Sequence, residues 1–567
     1  MLRSIILAIE NFKWLFVSEI KGIQDYIFST DKLRHIVGAS EIVSSITGSN
    51  DDTDDISPFY QNVLQALECR KDVDYKVMQA AAGRLMILFN NKEKLDKLMA
   101  VWSIVMNEYA PGTELVYDCF EINPSDLTKA RETALKSMVS QRQQPSCSLP
   151  IACLPAERCR RDSKAAVGVD ENHGKREPIS NEIKRKLEAA QETKKSLFKK
   201  FIPQNVAKET IDDDYKILDN NDKWPIDFED ITGFDDKSYM AVAHVDVNSM
   251  GNFFIKLGEQ LKNKTPEENL EIGQTVSQKL LESASYAAQS ATRTIIEENP
   301  KLKNAISRGC KMPLRPLVLA GDDLTFVIKA PYAIRFIESY MSSFSTKAKQ
   351  ELSEFLKKQE LTLDENITEL TLSAGVTFTK AKFPFKSAYE LCENLCKLGK
   401  QSSERKVSTI SFYRQTTSTC DDLESLLSRE FSHVYGNTTL KLTYGTYAVS
   451  KNEKGLPLIT DLEAVVSTFG SLPKGALRKI ATMLFADKHT VDSAWERFVD
   501  ICSSRNANAM KKLNSYLTTI TRNKETPLWA VNNGNSFTTP LVDAVNLHSI
   551  SSDFYYDIDL ADRGNEE

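Results

Sequence analysis

The sequence predicts an α+β protein, on three observations. Apolar runs of strand length alternate with stretches of helical spacing in the order strand, helix, hairpin, helix, strand. That order occurs twice, and the two regions read as divergent copies of one unit despite slight residue identity. The last part, from about residue 421, is patterned mostly as helix.

In the first copy, Lys13 to Ile20 is a short apolar run rich in strand formers, followed by Gly22 and a helical stretch from about Ile23. Tyr75 to Ala81 and Gly83 to Phe89 are two strand-length runs joined tightly around Ala82-Gly83, a hairpin signal. Lys92 to Tyr109 has helical spacing, and Glu114 to Ile122 reads as a strand. This gives a first domain over 1–140. From 141 to 235 the chain is rich in Pro, Asp, Lys and Arg and carries one basic helical run, Asn181 to Phe201, which reads as a connector subdomain.

The second copy, 236–415, opens on the buried-type strand Tyr239 to Val247 and continues with two long helical stretches. Pro316 to Ala330 is a hairpin with an acidic tip, followed by helix Ala333 to Lys358, strand Glu369 to Thr379 and helix Ser387 to Gly399. A C-terminal helical domain, 421–567, follows, with helix starts marked at Thr490-Val491-Asp492-Ser493 and Ser471-Leu472-Pro473.

Composition narrows the class. The 567 residues are enough for roughly three or four cores. Hydrophobic content of 41% with 26% charged residues describes a globular chain. A net charge of −6 is not that of a free-standing nucleic-acid coat, so RNA contact would be local or shared with partners. Ten scattered cysteines in so long a chain read as reduced thiols, which implies a cytoplasmic address. The apolar N-terminus is interrupted at Glu10 and Lys13, and reads as a first helix or strand rather than a signal or membrane anchor.

The chemistry concentrates at two places in the second copy. Asp246, in HVDVNSMGNFF, ends a buried strand just before a turn, Asn248-Ser249-Met250-Gly251, and a helix whose first N–H groups can face phosphate oxygens. In LAGDDLTFVI, Gly321 permits a tight turn that delivers Asp322 and Asp323 at a hairpin tip. If the two strands are neighbours, three carboxylates meet at one sheet edge. Hard oxygen ligands suit Mg²⁺ or Mn²⁺, and two such ions about 4 Å apart activate a hydroxyl and stabilise leaving pyrophosphate. Gly-Asp-Asp alone is a common solvated turn; the flanking strands and the upstream Asp246 give it weight.

The chain resembles the large, polymerase-like subunit of type III CRISPR effector complexes. Four stretches carry the resemblance: IKGIQDYIFSTDKLRHIVGASEIV, DVNSMG, AGDD in place of the family's usual GGDD, and LSAGVTFTKAKFPF with its Lys-bearing helix. They span most of residues 14 to 412. The resemblance implies that both copies are ferredoxin-like palm domains related to nucleotide and diguanylate cyclases. It also implies that the second palm is catalytic and that two ATP molecules meet between the palms to be joined into cyclic oligoadenylate, an antiviral second messenger. Asp246 and Asp322 would then hold Mg²⁺ or Mn²⁺, with Asp323 assisting and the Val247 carbonyl as a further ligand. Asn248, Ser249, Gly251 and Gly321 would line the nucleotide. Lys397 and Lys400 fall where the family places a triphosphate lysine, although either could be an exposed helix charge. Ser40 falls where the first palm contacts nucleotide, or else packs helices with Gly38 and Ala39. Asn248 could instead be an N-cap. Implied partners are ATP, other effector subunits, and guide and target RNA, with no membrane. Two alternatives stand beside this: a scaffold or nucleotide-sensing subunit, and a free-standing cyclase making another cyclic nucleotide.

The chain departs from the family pattern in several places. The first hairpin, Ala81-Ala82-Gly83-Arg84, has no acid, so it offers only a supporting half-site. Ala320 replaces a glycine. No histidine-aspartate nuclease motif is found, so no DNase activity is expected of the chain. Cys147, Cys153 and Cys159 lie where the family has a zinc knot, but their spacing is not that of paired zinc ligands. The basic run Lys184 to Lys200, interleaved with Glu182, Glu188 and Glu192, reads as a solvated amphipathic helix more than an RNA track.

Overall fold

The structure is a computed structural model. It describes residues 11–47, 57–81, 83–143, 157–172, 175–191, 197–205, 210–233, 238–262, 264–361, 369–417, 422–450, 454–532 and 534–550.

The first unit runs β1 (Trp14–Lys21), α1 (Leu33–Thr47), β2 (Tyr75–Ala81), β3 (Arg84–Phe89), α2 (Lys92–Tyr109), β4 (Glu114–Glu121) and α3 (Leu127–Arg142). Its sheet has the order β2-β3-β1-β4, with β1 antiparallel to both neighbours. Both faces of β1 are buried, so its sequence is a continuous apolar run. Side-chain alternation sends Phe16 and Ile20 into the core under α1 and α2, and Leu15 and Val17 into a second core with Ala130, Ala134 and Met138 of α3. The helix over Lys92–Tyr109 has the predicted bounds, its start set by Asn91, whose side chain accepts from the Glu93 N–H at 2.8 Å.

The connector holds helix α4 (Asn181–Gln191) and a 3-10 turn at Leu197–Phe201. The single basic helix expected over Asn181 to Phe201 therefore ends as an α-helix at Gln191, and the turn at its far end buries Leu197, Phe198 and Phe201. α4 keeps a solvated face at Lys184 and Glu188, as an amphipathic helix does, but its other face buries a charge. Lys186 is 0% exposed and donates to the Tyr26 carbonyl, Ser29 and Glu182 at 2.9, 2.9 and 2.6 Å. The crossing with α1 is close because Gly38 has no side chain: a Cβ there would stand 1.7 Å from the Lys186 carbonyl oxygen.

The second unit runs β5 (Met240–Val247), α5 (Met250–Leu261), α6 (Pro266–Glu297), β6 (Leu314–Leu319), β7 (Asp323–Lys329), α7 (Ala333–Lys358), β8 (Leu372–Thr379), α8 (Phe385–Ser402), β9 (Thr409–Arg414) and β10 (Tyr447–Ala448). The sheet order is β6-β7-β5-β8-β9-β10, which repeats the first unit's topology in β6-β7-β5-β8. The α8 crossover then adds β9 parallel to β8. The last strand comes from beyond the boundary read at 415. One face of this sheet (Ala241, Ala243, Val245) packs on α5, α6 and α7, while the other (Met240, Val242, Leu317, Val327) joins the core of the first unit together with Phe385 and Tyr389 of α8.

The C-terminal part is helical at Ile459–Phe469, Lys474–Met483 and Lys488–Thr521, but it also contains a four-stranded sheet built from Ser432–Tyr435, Thr438–Lys441, Ser536–Thr538 and Ala530–Val531. Strands of this length show no readable alternation, and Thr438–Lys441 pairs with a segment far along the chain. The helix starts also differ from expectation. Asp487, not Thr490, is the cap, and its carboxylate accepts from the Thr490 N–H and hydroxyl at 3.1 and 2.7 Å. The helix at Lys474 starts after Pro473 with no side-chain cap, so Ser471 is not one. Among the described residues no helix is long and apolar enough to cross a membrane.

Candidate functional site

Strand register brings the acids together. Asp323 is the direct cross-strand partner of Asp246, so the two carboxylates rise side by side from the same face of the sheet. Asp322 sits in the connecting turn, where its backbone carbonyl accepts from the Val247 N–H at 3.0 Å. The turn closes through Ala320 N–H to the Asp323 carbonyl at 2.9 Å. Gly321 is needed there, because its φ of +80° lies in the left-handed region. Ala320 is exposed, so the fold accommodates its methyl.

Period two puts His244 and Thr325 on the same face, one pair further in. His244 Nδ1 lies 3.1 Å from Thr325 Oγ1 and 3.2 Å from Asp323 Oδ1. Burial opposes protonation of the ring, but the carboxylates of Asp323, Asp246 and Glu393 outweigh it and raise its pKa. The geometry to His244 is not that of a hydrogen bond, and Asp323 Oδ1 is a buried oxygen without a hydrogen-bond donor. Asp322 is pushed up to about 6, first by burial and then by the charges of Asp323 and Asp246, with Lys400 opposing.

Helix α8 covers this face closely because two glycines allow it. A Cβ at Gly375 of β8 would stand 1.8 Å from the Cys392 carbonyl oxygen, and one at Gly399 would stand 2.7 Å from Thr409 Oγ1. Cys392 and Cys396 then donate Sγ–H to the Gly375 and Ser373 carbonyls at 2.8 and 3.2 Å. This seats Lys400 beside the strand end, with its Nζ 2.6 Å from Asp246 Oδ1.

The predicted site residues separate into two groups. Asp246, Val247, Asp322, Asp323, Gly321 and Lys400 come together. Ser249 and Gly251 stand exposed where β5 turns into α5. Ser249, not Asn248, is the N-cap; it takes a left-handed φ of 59° and gives no side-chain cap bond. Asn248 is buried, donating to Thr371 Oγ1 and accepting from Ser373 Oγ, both at 3.0 Å, so its side chain is committed to holding β5 against β8. Lys397 is 58% exposed and pairs with Glu393 at 3.0 Å, one turn back on its helix, as a surface charge does. Ser40 is buried and donates to the Leu317 carbonyl of β6, a contact between the two units. Cys147 and Cys153 lie outside the described residues, and Cys159 is buried. Among the described residues no group of three or more His, Cys, Asp or Glu side chains is gathered as a metal cage.

His244 is the residue at this site that no sequence motif marks. Counting back two from Asp246 is the signal that finds it: a histidine inside an apolar strand, on the acid's own face.

Residues 239–409 match the family Cas10/Cmr2, second palm domain. The segment is a Cas10-like second palm. Residues 14–121, with the same topology, form the first palm beside it. No curated protein matches the chain. Similar solved structures include a Csm1-Csm4 cassette in complex with cA4, at 12% identity and TM-score 0.47, covering 96% of this chain and 70% of that one. The same kind of cassette in complex with AMPPNP gives 11% and 0.48, covering 96% and 72%. Csm1 in T. onnurineus gives 13% and 0.44, covering 96% and 71%. These likenesses are too distant to bring a substrate or a partner with them.

Proposed function

We propose that the chain is a divalent-cation-dependent nucleotidyltransferase that joins ATP into cyclic oligoadenylate. It would work as the palm-bearing subunit of a type III CRISPR effector complex, with other subunits and guide and target RNA. The observation that carries this reading is the Asp246–Asp323 register pair, with Asp322 in the adjoining turn, inside a Cas10-like second palm.

The donor set fits Mg²⁺ or Mn²⁺: hard carboxylate oxygens, one of them, Asp323 Oδ1, buried without a hydrogen-bond donor. Asp246, Asp322 and Asp323 are not gathered as a cage in this structure, and would have to close on the cation to hold it, with the Val247 carbonyl beside them. Bound there, it supplies Lewis-acid stabilisation to the attacking 3′-oxygen and the departing pyrophosphate. The chain's own groups do the rest. The uncapped first turn of α5 presents N–H groups to phosphate oxygens, and Lys400 contributes positive charge at the edge of the site. The first palm, without a matching acid pair, completes the pocket.

The test is mass spectrometry of products from labelled ATP with Mg²⁺ or Mn²⁺, with and without co-purifying RNA. Asp322→Ala with Asp323→Ala is expected to cut product by on the order of a thousand-fold. Undiminished synthesis in the double variant would sink the assignment, and ATP binding without turnover in the unaltered chain would favour the scaffold reading.

A further inference from the structure

Both members of the acid pair are approached by basic side chains of the chain itself. Lys400 Nζ stands 2.6 Å from Asp246 Oδ1, with the two side chains 16% and 36% exposed. This is a close ion pair, partly shielded from water. His244 stands at 3.2 Å from Asp323 Oδ1 on the inner side. One Asp246 oxygen is therefore already engaged by a positive charge of the chain, and a divalent cation binding this carboxylate would be repelled by that charge.

Lys400 is held in a particular way. Its backbone is fixed, because the neighbouring Gly399 lies hard against Thr409. The four-carbon stem has rotatable bonds, and an ammonium on such a stem can exchange one anion for another by bond rotation. Lys397, a turn earlier on the same helix, is engaged with Glu393 and faces outward, so the arrangement belongs to Lys400 and not to basic residues of α8 in general.

We propose that Lys400 locks the metal site. Without nucleotide it occupies the cation's place at Asp246, and it leaves only when a polyphosphate offers a competing anion, so cation and nucleotide load together. The inference rests on the metal-site reading above and adds to it an order of loading.

Mn²⁺ uptake by the full chain, read by equilibrium dialysis as the excess of Mn²⁺ on the protein side over free and analogue-bound Mn²⁺, tests this with no turnover. The probes are Mn²⁺ alone and Mn²⁺ with an α,β-methylene analogue of ATP. Wild type is expected to bind weakly alone and tightly with the analogue. Lys400→Gln is expected to bind Mn²⁺ alone on the order of ten- to a hundred-fold more tightly than wild type, and to lose most of the enhancement by the analogue. Lys400→Arg, which keeps the charge, and Lys397→Gln should behave as wild type, and thermal melting confirms that each variant is folded. Adding Asp246→Asn to Lys400→Gln should remove the gain. Equal affinity of wild type and Lys400→Gln for Mn²⁺ alone, with the analogue still enhancing uptake, overturns the lock and leaves the metal site standing. No uptake by any variant under either condition overturns both.

Discussion

In the first palm the register pair next to the hairpin is Glu19 with Arg84; in the second it is Asp246 with Asp323. The strand order and the pairing are the same, and the charges differ. Glu19 is held by Arg84 at 3.3 Å and also by Arg142 of α3. One of those arginines is its cross-strand neighbour, so the neutralising charge is built into the sheet. In the second palm the partner strand adds another carboxylate, and the neutralising group is Lys400 on a covering helix, with the His244 imidazole one pair further in. A scaffold made twice thus carries a closed site and an open one, and the difference lies in whether the counter-charge can leave.

The comparison can be broken most sharply by exchanging which palm is damaged. Asp246→Asn should cut product by about a thousand-fold while leaving stability near that of wild type, since it relieves crowding of like charges. Glu19→Gln should do the reverse. It leaves Arg84 and Arg142 facing each other without an acid, and should lower stability by about 3 kcal/mol in a denaturant melt. Synthesis at a permissive temperature should stay within about two-fold of wild type, the size of an effect remote from the chemistry. A loss of product in Glu19→Gln would mean that the first palm does more than complete the pocket.

His244→Phe keeps the ring volume and its edge contact with Tyr389, 5.8 Å between centroids, but offers no nitrogen to Asp323. Mn²⁺ affinity with the nucleotide analogue present should rise by roughly ten-fold at a pH low enough to protonate the wild-type ring, because that positive charge beside Asp323 no longer opposes the cation. The smallest expected effect is on pH. Asp322 takes up a proton as pH falls through about 6, so cation uptake should decline below pH 6 by up to about ten-fold per unit. In Asp322→Asn that acid limb should flatten, whereas Glu19→Gln should leave it in place.

The acids were legible because they interrupt apolar runs at places where only a turn or a strand end accommodates them. Lys92–Tyr109 was legible for the opposite reason, an unbroken helical period with a capping Asn91 in front. Other features depended on register or on contacts distant in sequence. The Glu19–Arg84 pair exists only once β1 and β3 are aligned, and one residue of slip would separate it. His244 looks like part of an apolar strand until its neighbours are known. Asn248 and Ser40 carry the residue types of ligand contacts, yet spend their hydrogen bonds on Thr371, Ser373 and Leu317. The C-terminal sheet was hidden because its strands are too short to show a period.

Helix α8 touches both halves of the molecule. At its start, the Phe385 N–H donates to Asp31 of the first palm at 2.8 Å, the Phe385 ring meets Phe28 at 5.3 Å between centroids, and Lys386 pairs with Asp25 at 3.3 Å. Near its other end is Lys400. An 18-residue helix spans about 27 Å and does not bend easily. One rigid element therefore joins the first palm, at Phe385, to the acid pair, at Lys400, so the position of the lysine is tied to the packing of the two palms as well as to its own sheet.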